Sequence, residues 1–321
     1  MRNTQKGLVY FLIFALFFSG CRLRSRDWTG LRSGNSSQSL TVNGLERSYI
    51  LHTPPALLQG EKLPLIIVLH GTYGTGRKMQ LGLGFDPYAD ERSFYVAYPD
   101  AYQEPGSRQT ARWNDGRETL ESSELGIDDV AFLLAMIEDI GSTVPLDTNR
   151  VYVTGASNGG MMTYRLGCET AGVFAGIAPV IGNIPLPIAA SCSPSAPLDF
   201  LAINGDADPF VPFSGGEVCQ DVERGCEGGF VLSVADSIAA FAAADGCSPD
   251  PQRESLPVEV EDGTFIERWN YPGCLGNVQV QGIIVRNGGH TWPPRRGQIA
   301  ASGQETGNLD ATGIIVDFFF P

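Results

Sequence analysis

The sequence predicts an α/β fold, a mostly parallel sheet with helices on both faces, formed as a single domain. Three observations predict it. Continuous apolar runs at residues 65–69 and 94–98 have the composition of strands covered on both faces. Such runs alternate with stretches of helical spacing, as in Val130, Leu133, Leu134, Ile137 and Ile140. Finally, the β-branched run 150–154 passes through Gly155-Ala156-Ser157-Asn158-Gly159 directly into residues of helical character. A chain of 321 residues with 43% hydrophobic content is long enough to bury one sizeable core.

Taken in order, the chain begins with Arg2 and Lys6 ahead of an uncharged apolar run, residues 7–18, ending in Ser19-Gly20-Cys21. That run is short for a membrane span and suits a secretory signal core. Small residues before a cysteine resemble a bacterial lipoprotein cleavage site, although Phe18 stands where such sites usually carry Leu. The expectation is a signal peptide over 1–21, with Cys21 as the lipid attachment point and soluble secretion as the alternative. Residues 22–38, rich in Ser, Gly and Arg, read as a tether, and 39–321 as the catalytic domain. Residues 39–42 and 46–52 flank Asn43-Gly44 and read as an edge hairpin.

The strand at 65–69 ends in His70-Gly71-Thr72-Tyr73-Gly74, a glycine loop. The next strand leads to a polar loop carrying Trp113-Asn114-Asp115-Gly116, and Asp128 and Asp129 open the following helix. Two adjacent carboxylates resemble an acid/base pair, but Asp in a first helical turn more often complements the helix dipole. After the serine turn come strands at 174–180 and 198–203. The second runs into Asn204-Gly205-Asp206-Ala207-Asp208-Pro209. A helix over 230–245, strands at 266–271 and 278–285, the loop Asn287-Gly288-Gly289-His290-Thr291-Trp292-Pro293 and a closing helix over 310–320 complete the alternation.

Strand, Gly-x-Ser-x-Gly and helix in succession are the setting of a nucleophilic serine on a sharp turn. Ser157 is the candidate nucleophile, and the amide of Asn158, without an intrahelical partner, can meet an oxyanion. A serine hydroxyl needs a base. Of His52, His70 and His290, only His290 lies in a late glycine-rich loop, as the chain order Ser, Asp, His requires. The acid between them is Asp208, with Asp206 as the alternative. Calcium binding by this pair lacks the bidentate Glu of an EF-hand.

Removing Cys21 leaves Cys168, Cys192, Cys219, Cys226, Cys247 and Cys274, an even set that in an exported chain indicates disulfides. Cys219 and Cys226 bracket a short loop, and chain order adds Cys168 with Cys192 and Cys247 with Cys274, but the sequence does not choose among the pairings. Zinc is disfavoured because no Cys-x-x-Cys is present and the histidines lie far away. The formal charge of −14 argues against nucleic acid as a partner, and membrane contact is expected only through the N-terminal lipid.

His70-Gly71, Trp113-Asn114-Asp115-Gly116, Asp128-Asp129-Val130, the segment 153–162, Gly205-Asp206-Ala207-Asp208-Pro209 and the segment 288–293 together resemble the secreted polyhydroxybutyrate depolymerase and feruloyl esterase group, related to carbohydrate esterase family 1. The likeness runs from about residue 40 to the C-terminus. It implies an α/β-hydrolase fold, a Ser157, Asp208, His290 triad, oxyanion amides from Thr72 and Asn158, and a Cys168 to Cys192 disulfide. It also implies ester hydrolysis without a cofactor. Departures are Thr72-Tyr73, where many relatives have Cys-Gly, and a cysteine-bearing insertion over 217–228. Tyr73, Trp113 and Trp292 are the candidate substrate contacts, each also readable as core. A hydroxyalkanoate oligomer and a feruloyl or acetyl polysaccharide ester are rival substrates. An inactive binding protein on the same scaffold is the reading from another class, and a serine peptidase a third.

Overall fold

The computed structural model describes residues 32–55, 61–103, 111–170, 172–194, 196–219, 228–294 and 302–321. The expected signal peptide, Cys21 and residues 22–31 of the expected tether lie outside the described residues, as does Cys226. From the N-terminal side the elements are β1 (Gly34–Val42), β2 (Leu45–Thr53), β3 (Leu63–Leu69), α1 (Gly76–Leu83), α2 (Phe85–Arg92), β4 (Tyr95–Pro99), α3 (Glu121–Glu124), α4 (Asp129–Thr143) and β5 (Leu146–Ala156). Then follow α5 (Asn158–Glu169), β6 (Gly176–Val180), α6 (Leu186–Ala189), β7 (Asp199–Gly205), β8 (Gly216–Glu217), β9 (Phe230–Val231), α7 (Val234–Ala244), β10 (Gln252–Ser255), β11 (Phe265–Tyr271), β12 (Val280–Arg286) and α8 (Ala311–Phe319).

The main sheet has 10 strands in the order β1-β2-β4-β3-β5-β6-β7-β12-β11-β10. From β4 to β12 every neighbouring pair is parallel, and antiparallel strands close both edges. Alternation along β3 divides the core. Leu65, Ile67 and Leu69 join the cluster that packs α4, α5 and α7, whereas Ile66 and Val68 join the one that packs α1, α2 and α8. β3 and β4 are therefore buried and apolar throughout because each face is covered.

The edge hairpin forms as expected, with Asn43 and Gly44 at φ 52° and 80° turning β1 into β2. Its boundary needs correction: β1 starts at Gly34, so residues 34–38 of the expected tether are sheet, paired with Tyr49 through Thr53. Asn35-Ser36-Ser37-Gln38 reads as linker because an exposed edge strand is held by backbone hydrogen bonds and needs no apolar signature. The helices α1 and α2 and the polar strand β10 carry equally weak patterns and were not expected.

Asp128 and Asp129 are structural. Asp128 accepts the Ala131 amide at 2.9 Å as the cap of α4, and Asp129 points inward to Arg47 at 2.6 Å. Two expected disulfides are present, Cys168 to Cys192, which ties the end of α5 to the segment after α6, and Cys247 to Cys274, which ties the end of α7 to the segment after β11. The expected partner of Cys219 lies outside the described residues.

At the end of α7, Asp245 is buried and its Oδ2 has no hydrogen-bond partner. Burial pushes its carboxyl up to about 6, with the charge of Asp199 adding to the rise and the Leu198 amide opposing it. The folded state then holds a proton that the unfolded chain releases near pH 4, so this group's contribution to stability falls as pH rises from about 4 to about 6. Asp245→Asn should accordingly raise unfolding stability at pH 8 by on the order of 1–2 kcal/mol and change little at pH 4, read from denaturant unfolding at both pH values.

Candidate active site

β5 ends at Ala156 and α5 begins at Asn158, leaving Ser157 alone at the turn with φ 58° and ψ −118°. That conformation is strained for any residue with a side chain. The glycines around it permit backbone contacts that a Cβ would block. On Gly155 a Cβ would stand 2.5 Å from the Gly159 carbonyl oxygen, and on Gly159 it would stand 2.5 Å from that of His70 and 2.6 Å from that of Leu69. The first turn of α5 thus lies against the C-terminal end of β3.

The loop after β3 runs beside the serine, since a Cβ on Gly71 would lie 3.4 Å from the Ser157 Cβ. Within it the Tyr73 amide donates to the Ala111 carbonyl at 3.0 Å and the Gly74 amide to that of Gly71 at 2.9 Å. Neither the Thr72 amide nor the Asn158 amide meets an acceptor among the described residues. Unpartnered N–H groups are what an oxyanion requires.

Asp208 follows β7 and His290 follows β12, both at the same end of the sheet as Ser157 because these strands run parallel to β5 through β6. Asp208 Oδ1 accepts the Phe210 and Val211 amides at 2.8 and 2.9 Å, which fixes the carboxylate, while Oδ2 lies 2.6 Å from His290 Nδ1. A carboxylate only accepts, so Nδ1 carries the hydrogen and Nε2 is left as the basic nitrogen. Between the two expected acids the geometry discriminates. Asp206 accepts the Asn287 amide at 2.6 Å and pairs with Arg286, bracing the loop that carries His290. His290 is held further by backbone bonds to Ser302 and by the Phe210 ring, 5.3 Å away edge-on. No hydrogen bond joins the Ser157 hydroxyl to His290 here, a contact that tightens in many hydrolytic sites only when substrate binds.

The other two histidines are braces. His70 is buried, receives the Ala101 amide at Nε2 (3.0 Å) and donates from Nδ1 to the Gly71 carbonyl (2.8 Å). Burial lowers its pKa, so the ring stays neutral and keeps this tautomer. His52 on β2 lies against Asn35 and Asp90.

The expected aromatic contacts are corrected in two of three places. Trp113 is 0% exposed and donates its indole hydrogen to the His70 carbonyl at 2.8 Å. Trp292 is 3% exposed, packed edge-on against Phe85 and bonded to Thr312. Both indoles serve the core because each finds an acceptor there for its N–H, the condition for burying a tryptophan. Tyr73 is 46% exposed at the turn beside Thr72, with Arg112 stacked on its ring. The sequence reading overlooked the Asn158 side chain and Asp115. Both lie in motifs that were recognised, and the polar residue beside a nucleophile was the available signal. Among the described residues no cluster of three metal-ligating side chains occurs.

Residues 47–249 match the family described as esterase PHB depolymerase. NocK of Nocardia uniformis subsp. tsuyamanensis, named as an esterase, is 32% identical over 264 residues, covering 80% of this chain and 74% of its own. Feruloyl esterase B of Piromyces equi is 28% identical over 246 residues, 76% of this chain but 42% of that protein. The solved acetyl xylan esterase from Aspergillus awamori superposes with a TM-score of 0.55 at 18% identity, over 80% of this chain and 95% of its own, a likeness of fold.

The contact of α5 with β3 leaves no room at residue 159. Gly159→Ala should destabilise the fold by about 1–3 kcal/mol in denaturant unfolding, because rigid backbone carbonyls rather than flexible side chains stand in the way.

Proposed function

The chain belongs to the esterase PHB depolymerase family and hydrolyses ester bonds, and we propose that it does so through an acyl-enzyme on Ser157, with His290 as base and Asp208 as its orienting acid. The observation that carries this reading is the 2.6 Å contact of His290 Nδ1 with a carboxylate fixed by two backbone amides, at the C-terminal end of the parallel strands, where the strained serine also lies. His290 Nε2 takes the Ser157 proton as the hydroxyl oxygen attacks the ester carbonyl carbon. The carbonyl oxygen becomes an oxyanion facing the Thr72 and Asn158 amides, and Asp208 stabilises the imidazolium. Collapse breaks the carbon–oxygen bond, and the alcohol leaves with the proton from His290. Water then attacks the acyl-serine by the same route and releases the acid.

The substrate in this reading is a hydroxyalkanoate oligomer or a hydroxycinnamoyl ester, with an acetylated polysaccharide as the alternative. The family supports the first, and the similarity to feruloyl esterase B supports the second. Tyr73, exposed beside the oxyanion loop, is the aromatic available to an acyl group. Export is part of the proposal, supported by two disulfides and by the apolar leader, with Cys21 as the residue a lipid would modify.

A fluorophosphonate probe should label the wild type and not Ser157→Ala, and an unlabelled wild type would favour the inactive binding protein. Ser157→Ala should lower kcat by on the order of 10⁶. Asp208→Asn should lower it by on the order of 10⁴, and Asp206→Asn should leave it near wild type. Turnover of methyl ferulate, acetylated xylan and hydroxybutyrate oligomers, measured in parallel, ranks the substrates, and hydrolysis of none of these would overturn the substrate assignment.

A further inference from the structure

Trp113 spends three polar groups on two other segments of the site. Its indole N–H reaches the His70 carbonyl at 2.8 Å, its backbone N–H donates to Asn158 Oδ1 at 2.7 Å, and its carbonyl accepts from Asn158 Nδ2 at 3.0 Å. The same Nδ2 donates to Asp115 Oδ2 at 2.6 Å. These partners fix the orientation of the Asn158 amide, since a flipped group would face two acceptors with its oxygen. Asp115 is paired in turn with Arg117 at 2.9 Å, whose guanidinium donates to the Gly228 carbonyl at 2.7 Å. Trp113, Asn158, Asp115 and Arg117 are all buried, so water does not compete for these bonds.

We propose that Trp113 and the Asn158 side chain form a positioning clamp that sets the spacing of the Thr72 and Asn158 amides. The proposal rests on the reading of Ser157 as nucleophile. Thr72 and Asn158 are distant in sequence and sit on separate segments, and an oxyanion hole works only when both donors lie about 2.7–3.1 Å from one oxygen. Trp113 holds the segment of Thr72 through the His70 carbonyl and the segment of Asn158 through its side chain. Asp115 and Arg117 stop the Asn158 amide from rotating. In this role Trp113 and the Asn158 side chain act through the two backbone amides and do not touch the substrate.

Trp113→Phe keeps a ring and deletes one hydrogen bond, while Asn158→Ala deletes the side-chain half and keeps the backbone amide. Each should lower kcat on a p-nitrophenyl ester by on the order of tenfold or more, with KM nearly unchanged, because the lost alignment matters in the transition state. The ratio of kcat/KM for an ester over its thionoester, whose sulfur accepts hydrogen bonds weakly, should fall in the same variants. Trp269→Phe deletes an indole bond to Glu267 at 2.6 Å on β11 and should lower thermal stability while leaving both readouts at the wild-type level. A folded Trp113→Phe with wild-type kcat and an unchanged ester-to-thionoester ratio overturns the clamp. Fluorophosphonate labelling separates the two failures: an unlabelled wild type removes the serine reading, whereas a labelled wild type with an unaffected Trp113→Phe removes the clamp alone. Should Asn158→Ala not fold, Trp113→Phe decides the matter by itself.

Discussion

The close approach of two backbones, the first turn of α5 and the C-terminal end of β3, is the constraint from which the site follows. It exists because Gly159 has no Cβ to meet the Leu69 and His70 carbonyls. The approach brings the loop after β3 alongside Ser157. The turn at φ 58° is kept by what surrounds it: strand pairing of β5 on both sides, the Ser157 amide bonded to the Val180 carbonyl, and α5 packed in the core. Strain of this kind persists only where the neighbouring structure overrules the local preference. A second case adjoins it. Ile181, β-branched, sits at φ 46° with its amide on the Ile203 carbonyl, and the next residue, Gly182, passes close behind Ser157.

Much of this architecture was legible because the relevant signals are local. The buried strands β3 and β4 are continuous apolar runs, the hairpin has its Asn-Gly turn, and the strand-to-helix turn at Ser157 announces itself by glycine spacing. The histidine that pairs with Asp208 could be singled out by elimination among three. What escaped was held by tertiary contact. Residues 34–38 look like linker and form an edge strand, since backbone pairing asks nothing of the side chains. Trp113 and Trp292 could not be placed by composition, because an indole suits a binding face and a core equally until its N–H partner is known. Asp206 and Asp208 have nearly the same setting in sequence, and only the register of β7 with β12 decides which of them faces residue 290.

The two aspartates show how charge is partitioned at this rim. Asp208 is almost wholly enclosed, with both oxygens committed, so the imidazole it faces is held in one tautomer. Asp206 is more open and spends its charge on Arg286 and on the Asn287 amide, holding the approach to the histidine loop. Arg286 also pairs with Glu267 at 2.6 Å, which ties that loop to β11. One carboxylate thus orients the His290 ring and its neighbour supports the segment on which that ring is mounted. Asp208→Asn would change the ring's tautomer pattern, whereas the side chain introduced by Asp206→Asn can still accept the Asn287 amide and leaves the ring in place.

The places where this chain departs from the group it resembles meet at one segment, residues 112–117. Thr72-Tyr73 faces it through the stacking of Arg112 on Tyr73, and Gly228, the last residue of the cysteine-bearing insertion, meets it through its carbonyl, which accepts from Arg117. The inner side of the same segment is locked to the nucleophile turn by Asn158. A scaffold fixed by backbone contacts tolerates change in its loops far better than in its strands. On the proposed acyl-enzyme reading, acyl selection falls to the outer side of this segment and to its two neighbours, while the inner side is fixed to the turn at Ser157. On that reading, sequence variation at Tyr73 can alter which acyl group is accepted without disturbing the bonds that lock residue 113 to residue 158.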